Sequence, residues 1–564
     1  MPIGIVTSGS LLMTKDRIRQ KITRACLLGL VLLLGGYLRS VGLTWGLESG
    51  YGHMRNFQPD EFISMRGVLQ LDLVAGKFTA PGAYFEGTFN YYLWALPVTA
   101  VRLFDTPKLP PSRLTDDAHF RLILHLCRLM SVAFDVLATW IVFLAALEAT
   151  SLFYPALLAA FFYTIIPMQV IYAHFMRTHV LSNLLCALVL WLSLKSLKKP
   201  EWWLLLTLGL ISGLAAATHY PMGIIVTIPC LYFLFRRSDT SISWIRNIIR
   251  SAVVLLSGPI WWIGLGFLGG LFVGEPPLFI NPRSVLHAIS TETFNYVPSH
   301  AFALTGLFDL SRLWNYLSVL IPFGMYPWLW IIAYGAILYL CFRPRLYPLS
   351  VPILIFFLLY LYPMAKGYSA PLFARAAMLL FPGFAVLVAL AWQDLALRRV
   401  WPPVLSIFSV GAAAAIFIPS LVFDWAYVRE MQRIDVRTAM HYDLKRVIGN
   451  STVTIGVEKL PGNFYTVMPA VDSLKGPSVS VQLQNSNQEA DFFVLGRSRP
   501  ITWADRQATI RSVEKNGKFK CENVYMNQPR IFQHPIDLSR FPPDMTYPFP
   551  TLLLFQAHEF KARL

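Results

Sequence analysis

Residues 56–67 read NFQPDEFISMRG, and they follow the first long apolar segment of the chain, residues 25–45. Two carboxylates, Asp60 and Glu61, stand side by side where the chain leaves that segment. Adjacent carboxylates repel, which tends to raise the pKa of one and leaves a potential base beside a potential hydrogen-bond acceptor. Two readings are open at this point. Pro59 suits the first position of a helix and acids suit its first turn, so the pair can simply start a solvated interfacial helix. The other reading is functional, because charge at a membrane edge is costly unless it is paired, wet or used.

Composition decides what surrounds this stretch. Of 564 residues, 55% are hydrophobic and only 14% charged, and the mean hydropathy is +0.52. A chain of that length with so little charge must turn much of its surface to lipid. Apolar stretches long enough to cross a bilayer, roughly 20 residues each, lie near 25–45, 129–149, 152–172, 179–197, 202–218, 221–236, 250–273, 314–341, 348–364, 376–394 and 401–423. The formal net charge of +17 raises the question of a nucleic-acid partner. With the N-terminus placed inside, however, every dense basic cluster falls on one side: Lys15 to Arg24; Lys195, Lys198 and Lys199; Arg236, Arg237, Arg246 and Arg250; Arg343 and Arg345; Arg398 and Arg399. The positive charge is therefore read mainly as a topology signal, and no nucleic-acid partner is expected.

The same count puts residues 46–128, 274–312 and 424–564 on the outer face, so chemistry is expected there. Within the first of these, TFNYYLWALPVTAVRLF (88–104) is apolar and aromatic but short and contains Pro97, which predicts a helix at the interface. In the tail, 426–448 predicts a surface helix stopped at Gly449 and Asn450. STVTIGVE, PSVSVQL and ADFFVLG then predict short strands of a small α/β domain. The opening residues lack the order of a signal peptide, and the basic run from Lys15 to Arg24 is expected to hold the first helix in place. Six cysteines fall mainly in or beside spans, with no disulfide framework and no zinc spacing.

Three basic residues map to the outer ends of spans: Arg128, Arg177 in AHFMRTH, and Arg375 in GYSAPLFARAAMLLFPG. A guanidinium can hold a phosphate through paired hydrogen bonds, or it can snorkel to lipid headgroups. His174, His179 and His219 map to the same face, where a histidine is more often a hydrogen-bonding partner than a metal ligand. A pocket for an anionic lipid headgroup would account for the whole set.

Taken in order, the basic N-terminus, one span, the PDE motif, YFEGTFNYYLWALP, the arginine opening the next span, THYPMG and FARAAMLLFP resemble the GT-C glycosyltransferases. The nearer likeness is to the branch of protein O-mannosyltransferases and the aminoarabinose transferase acting on lipid A, over roughly residues 15–425. The resemblance implies an all-α polytopic fold with about eleven transmembrane helices and interfacial helices in the first outer loop, followed by the small α/β domain. It implies a catalytic membrane domain at 25–423, while the charge count assigns a basic cytoplasmic segment to 1–24 and the tail, 424–564, beyond the resemblance, to an extracytoplasmic domain. By the same resemblance Asp60 is the base or acceptor-orienting group with Glu61 beside it; Arg128, Arg375, His219 and Arg177 face the carrier phosphate; and Glu86, Tyr84, Tyr220 and Asn90 line the sugar or acceptor pocket.

The chain departs from the family in two places. Arg177, Thr178 and His179 stand where many relatives have an Arg-Thr-Asp pattern, and Thr218, His219 and Tyr220 stand where many have Thr-Lys-Tyr. A metal is therefore not required, although a divalent cation is allowed, with His179 the candidate ligand. The implied activity is inverting transfer of a monosaccharide from a polyprenyl-phosphate carrier to an extracytoplasmic lipid, glycan or protein, in a prokaryotic plasma membrane. A transporter of lipid-linked saccharide is the alternative, and it should show charged or broken helices at mid-membrane and a two-half repeat.

Overall fold

The computed structural model describes residues 8–48, 57–79, 86–104, 111, 114, 117–235, 249, 252–256, 258–296, 310–367, 373–398, 403–459, 466–484 and 489–558. Helix α1 is Ser8–Ser40, α2 Pro59–Val68, α3 Phe89–Phe104, α4 Asp117–Thr150, α5 Phe153–Thr164, α6 Pro167–Ala173, α7 Thr178–Lys198 and α8 Trp202–Thr218. After a 3₁₀ turn at Tyr220–Val226 come α9 (Thr227–Phe235), α10 (Pro259–Gly274), α11 (Tyr347–Gly367), α12 (Phe381–Arg398) and α13 (Pro403–Glu430).

Among the described residues five helices are long and apolar enough to cross a membrane, and a sixth span results if α5 and α6, bent by 59° at their break, are taken as one. This is a multi-pass membrane protein. Trp202–Thr218, Tyr220–Phe235, Pro259–Gly274 and Leu329–Cys341 are apolar but shorter. Each starts beside a proline (Pro200, Pro221, Pro259 or Pro327), which lacks the N–H needed to continue a helix backwards. The expected segments at these positions are thus helical without each being a single full-length span.

The largest buried cluster joins the inner faces of α4, α5, α7 and α12 with α1 and the 316–340 region. Polar contacts run inside it as well. Arg39 on α1 pairs with Asp135 on α4, both fully buried, and Tyr163 donates to the same carboxylate at 2.9 Å. Helices α8 and α10 pack backbone to backbone. A Cβ added at Gly209, Gly213, Gly266 or Gly270 would strike a carbonyl oxygen of the opposing helix. In lipid, where no hydrophobic drive separates helix from solvent, small residues permit this close approach.

The predicted surface helix at 426–448 is divided. Helix α13 ends at Glu430, and α14 (Val436–Ile448) starts anew because Asp435 caps it, accepting from Arg437 N at 2.8 Å. Gly449, at φ 54°, ends α14 where the sequence places a stop. Beyond it β1 (Val453–Glu458), β2 (Val479–Gln484), β3 (Phe492–Arg497), β4 (Phe519–Met526), the short β5 (Arg530–Ile531) and β6 (His534–Pro535), and β7 (Thr551–Ala557) follow. The main sheet has the order β2-β1-β3-β7-β4, with β1 parallel to β2 and β3, and β7 antiparallel to β3 and β4. Helix α14 packs on one face of this sheet, its Val436, Met440, Leu444 and Ile448 meeting Ile455, Val494 and Leu552.

Candidate active site

Local sequence starts α2 as the capping argument requires. Gln58 is the N-cap, its side-chain oxygen accepting from Glu61 N at 2.7 Å; Pro59 follows, and both acids lie in the first turn. The two acids then part company. Glu61 is buried and takes Arg128 in a bidentate grip, Nε to Oε1 at 2.9 Å and Nη2 to Oε2 at 2.7 Å, while Met176 N donates to Oε1 at 2.8 Å. Arg128 sends Nη1 to the carbonyls of Leu43 and Trp45 at 3.0 and 2.6 Å, so four of its N–H groups are committed and its side chain is 2% exposed. Arg128, expected at the carrier phosphate, and Glu61, expected beside the catalytic carboxylate, are instead each other's partners. The pair is a buried clamp that fixes α2 to α4 and to the loop before α7.

Asp60 faces the other way. Its Oδ2 lies 3.0 Å from Arg375 Nη1 and 3.4 Å from Arg177 Nη2, and its side chain is 22% exposed. Neither contact is aligned as a hydrogen bond, so Oδ2 keeps lone pairs available. Burial alone would raise the Asp60 pKa, but Arg177 and Arg375 outweigh it and hold the carboxyl below the ordinary aspartate value. Arg177, at the start of α7, also grips Glu86 through Nη2 at 2.6 Å, and Tyr91 reaches the Glu86 carboxylate at 3.3 Å. Its Nε is buried without a partner.

Arg375 stands at the head of the 3₁₀ segment Ala374–Leu380 that leads into α12. All its hydrogen bonds and ion pairs made by side-chain atoms go through Nη1, to Asp60, to Tyr172 Oη at 3.3 Å and to Tyr547 Oη at 3.3 Å. Among the described residues Nε and Nη2 engage no partner. The Phe373 ring backs the guanidinium, with Cζ 4.0 Å from the ring centroid.

Beside these cations lies a polar wall. The His179 and His219 rings lie 5.5 Å apart between centroids, tilted by 43°, with Tyr172 edge-on to His179 at 5.4 Å. Burial, followed by Arg177 and Arg375, pushes the His219 pKa down to about 4, so at neutral pH His219 offers a hydrogen bond and no charge. Asn90 is buried with both its amide atoms unpartnered, as is His179 Nδ1. Tyr220 bears on the carboxyl of Glu275. Tyr84 lies outside the described residues. Among those described, no three His, Cys, Asp or Glu side chains converge as metal ligands.

Sequence reasoning missed Glu275, Tyr172, Asp544, Tyr547 and Arg437. Glu275, fully buried at the end of α10, accepts from Thr88 N at 2.6 Å and so fixes the start of α3. The criterion applied to Asp60, a carboxylate at the edge of an apolar run, also picks out Glu275 in FVGEPP. The others carry no local signal.

Fold and site together define a multi-pass membrane protein with a carboxylate held between one buried and one partly buried arginine at one end of its helix bundle. No protein-family model matches the chain, and no curated protein matches it. Among solved structures it is similar to the archaeal oligosaccharyltransferase AglB from Archaeoglobus fulgidus in complex with an inhibitory peptide and a dolichol-phosphate. That likeness has 14% identity and a TM-score of 0.49, over 80% of this chain and 64% of that one. The chain thus spans under two thirds of the length of that AglB. It is also similar to ArnT from Cupriavidus metallidurans bound to undecaprenyl phosphate, with 15% identity and a TM-score of 0.42 over 75% of this chain and 72% of that one. For ArnT in the apo state the figures are 12% and 0.42, over 94% and 97%.

Proposed function

We propose that this chain is a GT-C type inverting glycosyltransferase that moves a monosaccharide from a polyprenyl-phosphate carrier to an acceptor at the Asp60 end of the bundle. The observation that carries the reading is Asp60 itself: a partly exposed, ionised carboxylate whose two arginine neighbours balance its charge without occupying it by hydrogen bonds. An acceptor hydroxyl or amine oriented by Asp60 attacks the anomeric carbon while the bond to the phosphate oxygen breaks. The acceptor proton passes to Asp60, and the carrier leaves as polyprenyl phosphate with both bonding electrons. A low-pKa carboxylate is a weak base toward a neutral hydroxyl, but the proton becomes acidic once the new bond forms, so a late transfer suffices. The free guanidinium edge of Arg375 and the unpartnered Nε of Arg177 are the groups that receive the leaving phosphate's charge. Phosphate is a good leaving group and needs no strong general acid. His179, His219, Asn90 and Tyr220 supply hydrogen bonds to the sugar.

Transfer of radiolabelled sugar from a panel of polyprenyl-phosphate sugars into membrane extracts tests this, with Asp60→Asn at matched expression. The expected result is activity in the wild type and its loss, by about 10² or more, in the variant, with carrier binding retained. Folded wild type that consumes no member of the panel would return the transporter reading to first place.

A further inference from the structure

The segment Phe541–Phe549 belongs to the C-terminal part of the chain, yet it is built into the membrane-edge site. Asp544, fully buried, accepts from the backbone N–H groups of Ala374 and Arg375 at 3.3 and 2.8 Å, the first donors of the 3₁₀ segment that carries Arg375. Such N–H groups have no partner inside their own helix, and a carboxylate is the favourable group to place there. Three residues on, Tyr547 Oη lies 3.3 Å from Arg375 Nη1. The segment therefore holds Arg375 at both ends, by its backbone and by one guanidinium nitrogen.

The segment is itself fixed. Tyr427 donates to the Met545 carbonyl at 2.7 Å, and Arg437 Nη2 donates to the Tyr547 carbonyl at 3.0 Å. Arg437 also donates from Nη1 to the Phe57 carbonyl at 3.0 Å, three residues before Asp60, while Asp435 holds its Nε at 2.7 Å. One buried guanidinium thus ties the Asp60 loop to the segment that grips Arg375. A burial of this cost, one carboxylate and one ion pair out of water, is hard to account for as stability alone, since apolar replacements serve that purpose as well.

We infer that Asp544 and Tyr547 are positioning residues for the carrier phosphate. They hold Arg375 so that its Nη1 faces Asp60 and its Nε and Nη2 edge stays turned to an incoming phosphate. This rests on the reading of Arg375 as a phosphate ligand. Three groups crowd Nη1, which has two hydrogens, so the nitrogen is saturated and the remaining edge is the one presented to a ligand.

The test is equilibrium binding of undecaprenyl phosphate, and of undecaprenol as the phosphate-free control, to the purified full-length chain. The proteins compared are wild type, Tyr547→Phe, Asp544→Asn, Arg375→Ala and the exposed control Asp537→Asn. Tyr547→Phe removes one hydroxyl and no volume, and it should weaken phosphate binding roughly threefold to tenfold. Asp544→Asn should weaken it roughly tenfold or more. Undecaprenol binding should not change in either, which a merely structural role would not produce. If Arg375→Ala loses phosphate binding while folded Tyr547→Phe and Asp544→Asn bind as wild type, the positioning role is overturned and the phosphate reading stands. If Asp544→Asn does not fold, Tyr547→Phe decides alone. If folded wild type binds undecaprenyl phosphate no better than undecaprenol, both the phosphate reading and this inference fall.

Discussion

Glu275 and Glu61 are both buried carboxylates, and their surroundings differ in charge. Glu61 has a guanidinium across it, whereas among the described residues Glu275 is met by Thr88 and Tyr220. Burial, opposed by those two, therefore pushes the Glu275 pKa from 4.5 up to about 7. Between those values the folded chain binds a proton that the unfolded chain has lost, so stability is greatest below the lower value and falls as pH rises toward 7. The total effect is on the order of 3 kcal/mol. Thermal unfolding in detergent should show this decline between about pH 5 and pH 7, and Glu275→Gln should flatten it; an unchanged slope in the variant would assign the titration elsewhere. For the Glu61 and Arg128 pair the expectation concerns charge balance. Glu61→Gln leaves a buried guanidinium without its counter-charge and should cost roughly 3–5 kcal/mol, while the double replacement Glu61→Gln with Arg128→Met should recover part of it. A double-mutant cycle on the unfolding free energy measures this. A phosphate ligand at Arg128 would instead show normal stability and weakened carrier binding.

At the scale of elements, the α8 and α10 contact is what places Glu275 against the start of α3. Gly213→Leu would drive a side chain into the Phe267 carbonyl and separate the two helices. It should cost at least about 1–3 kcal/mol and blur the Glu275 titration with it. Gly264→Ala on the same α10 faces open space, so it should be neutral or gain up to about 1 kcal/mol from helix propensity. Paired melting curves separate the two outcomes, and equal destabilisation would show that the contact carries no weight. The same elements show what could be read beforehand. Helix positions, the helix start at Pro59 and the three sheet strands β1 to β3 follow from hydropathy and local helix-start preferences, which act over a few residues. Asp60, Arg177 and Arg375 were picked out because a charge at a membrane edge is conspicuous in itself. That Glu61 takes Arg128 out of the pocket was not legible, because the pairing depends on which face of a two-residue step points inward. Asp544 and Tyr547 look like ordinary tail residues, since their partner lies 169 positions away in the chain for Asp544 and 172 for Tyr547.

Over the whole molecule the bundle has two chemically distinct ends. At one, α4 at Arg128, about three turns in, the start of α7 with Arg177, the Arg375 segment, the end of α8 and the end of α10 converge with the sheet-bearing C-terminal part. At the other, Lys198 at the end of α7 pairs with Glu148 near the end of α4 at 2.7 Å, and Arg343 and Arg345 pair with Asp394 near the end of α12. Among the described residues the basic clusters at Arg24, at Lys195 to Lys199 and at Arg343 and Arg345 belong to this second end, which the preference of Lys and Arg for the cytoplasmic side predicts to be the inside. On that assignment Asp60, Arg375 and the sheet are predicted to share the outer side, where the proposed lipid-linked donor would meet its acceptor. Cysteine labelling tests the assignment without reference to activity. In a chain whose six cysteines have been replaced, Ala504→Cys at the exposed start of the Trp503–Glu514 helix should react with a membrane-impermeant maleimide in intact cells. Lys199→Cys, exposed just past α7, should react only after the membrane is opened. The reverse pattern would put the arginine-flanked carboxylate on the cytoplasmic face. A soluble nucleotide sugar could then reach it directly, and the argument for a polyprenyl carrier would lose its physical reason.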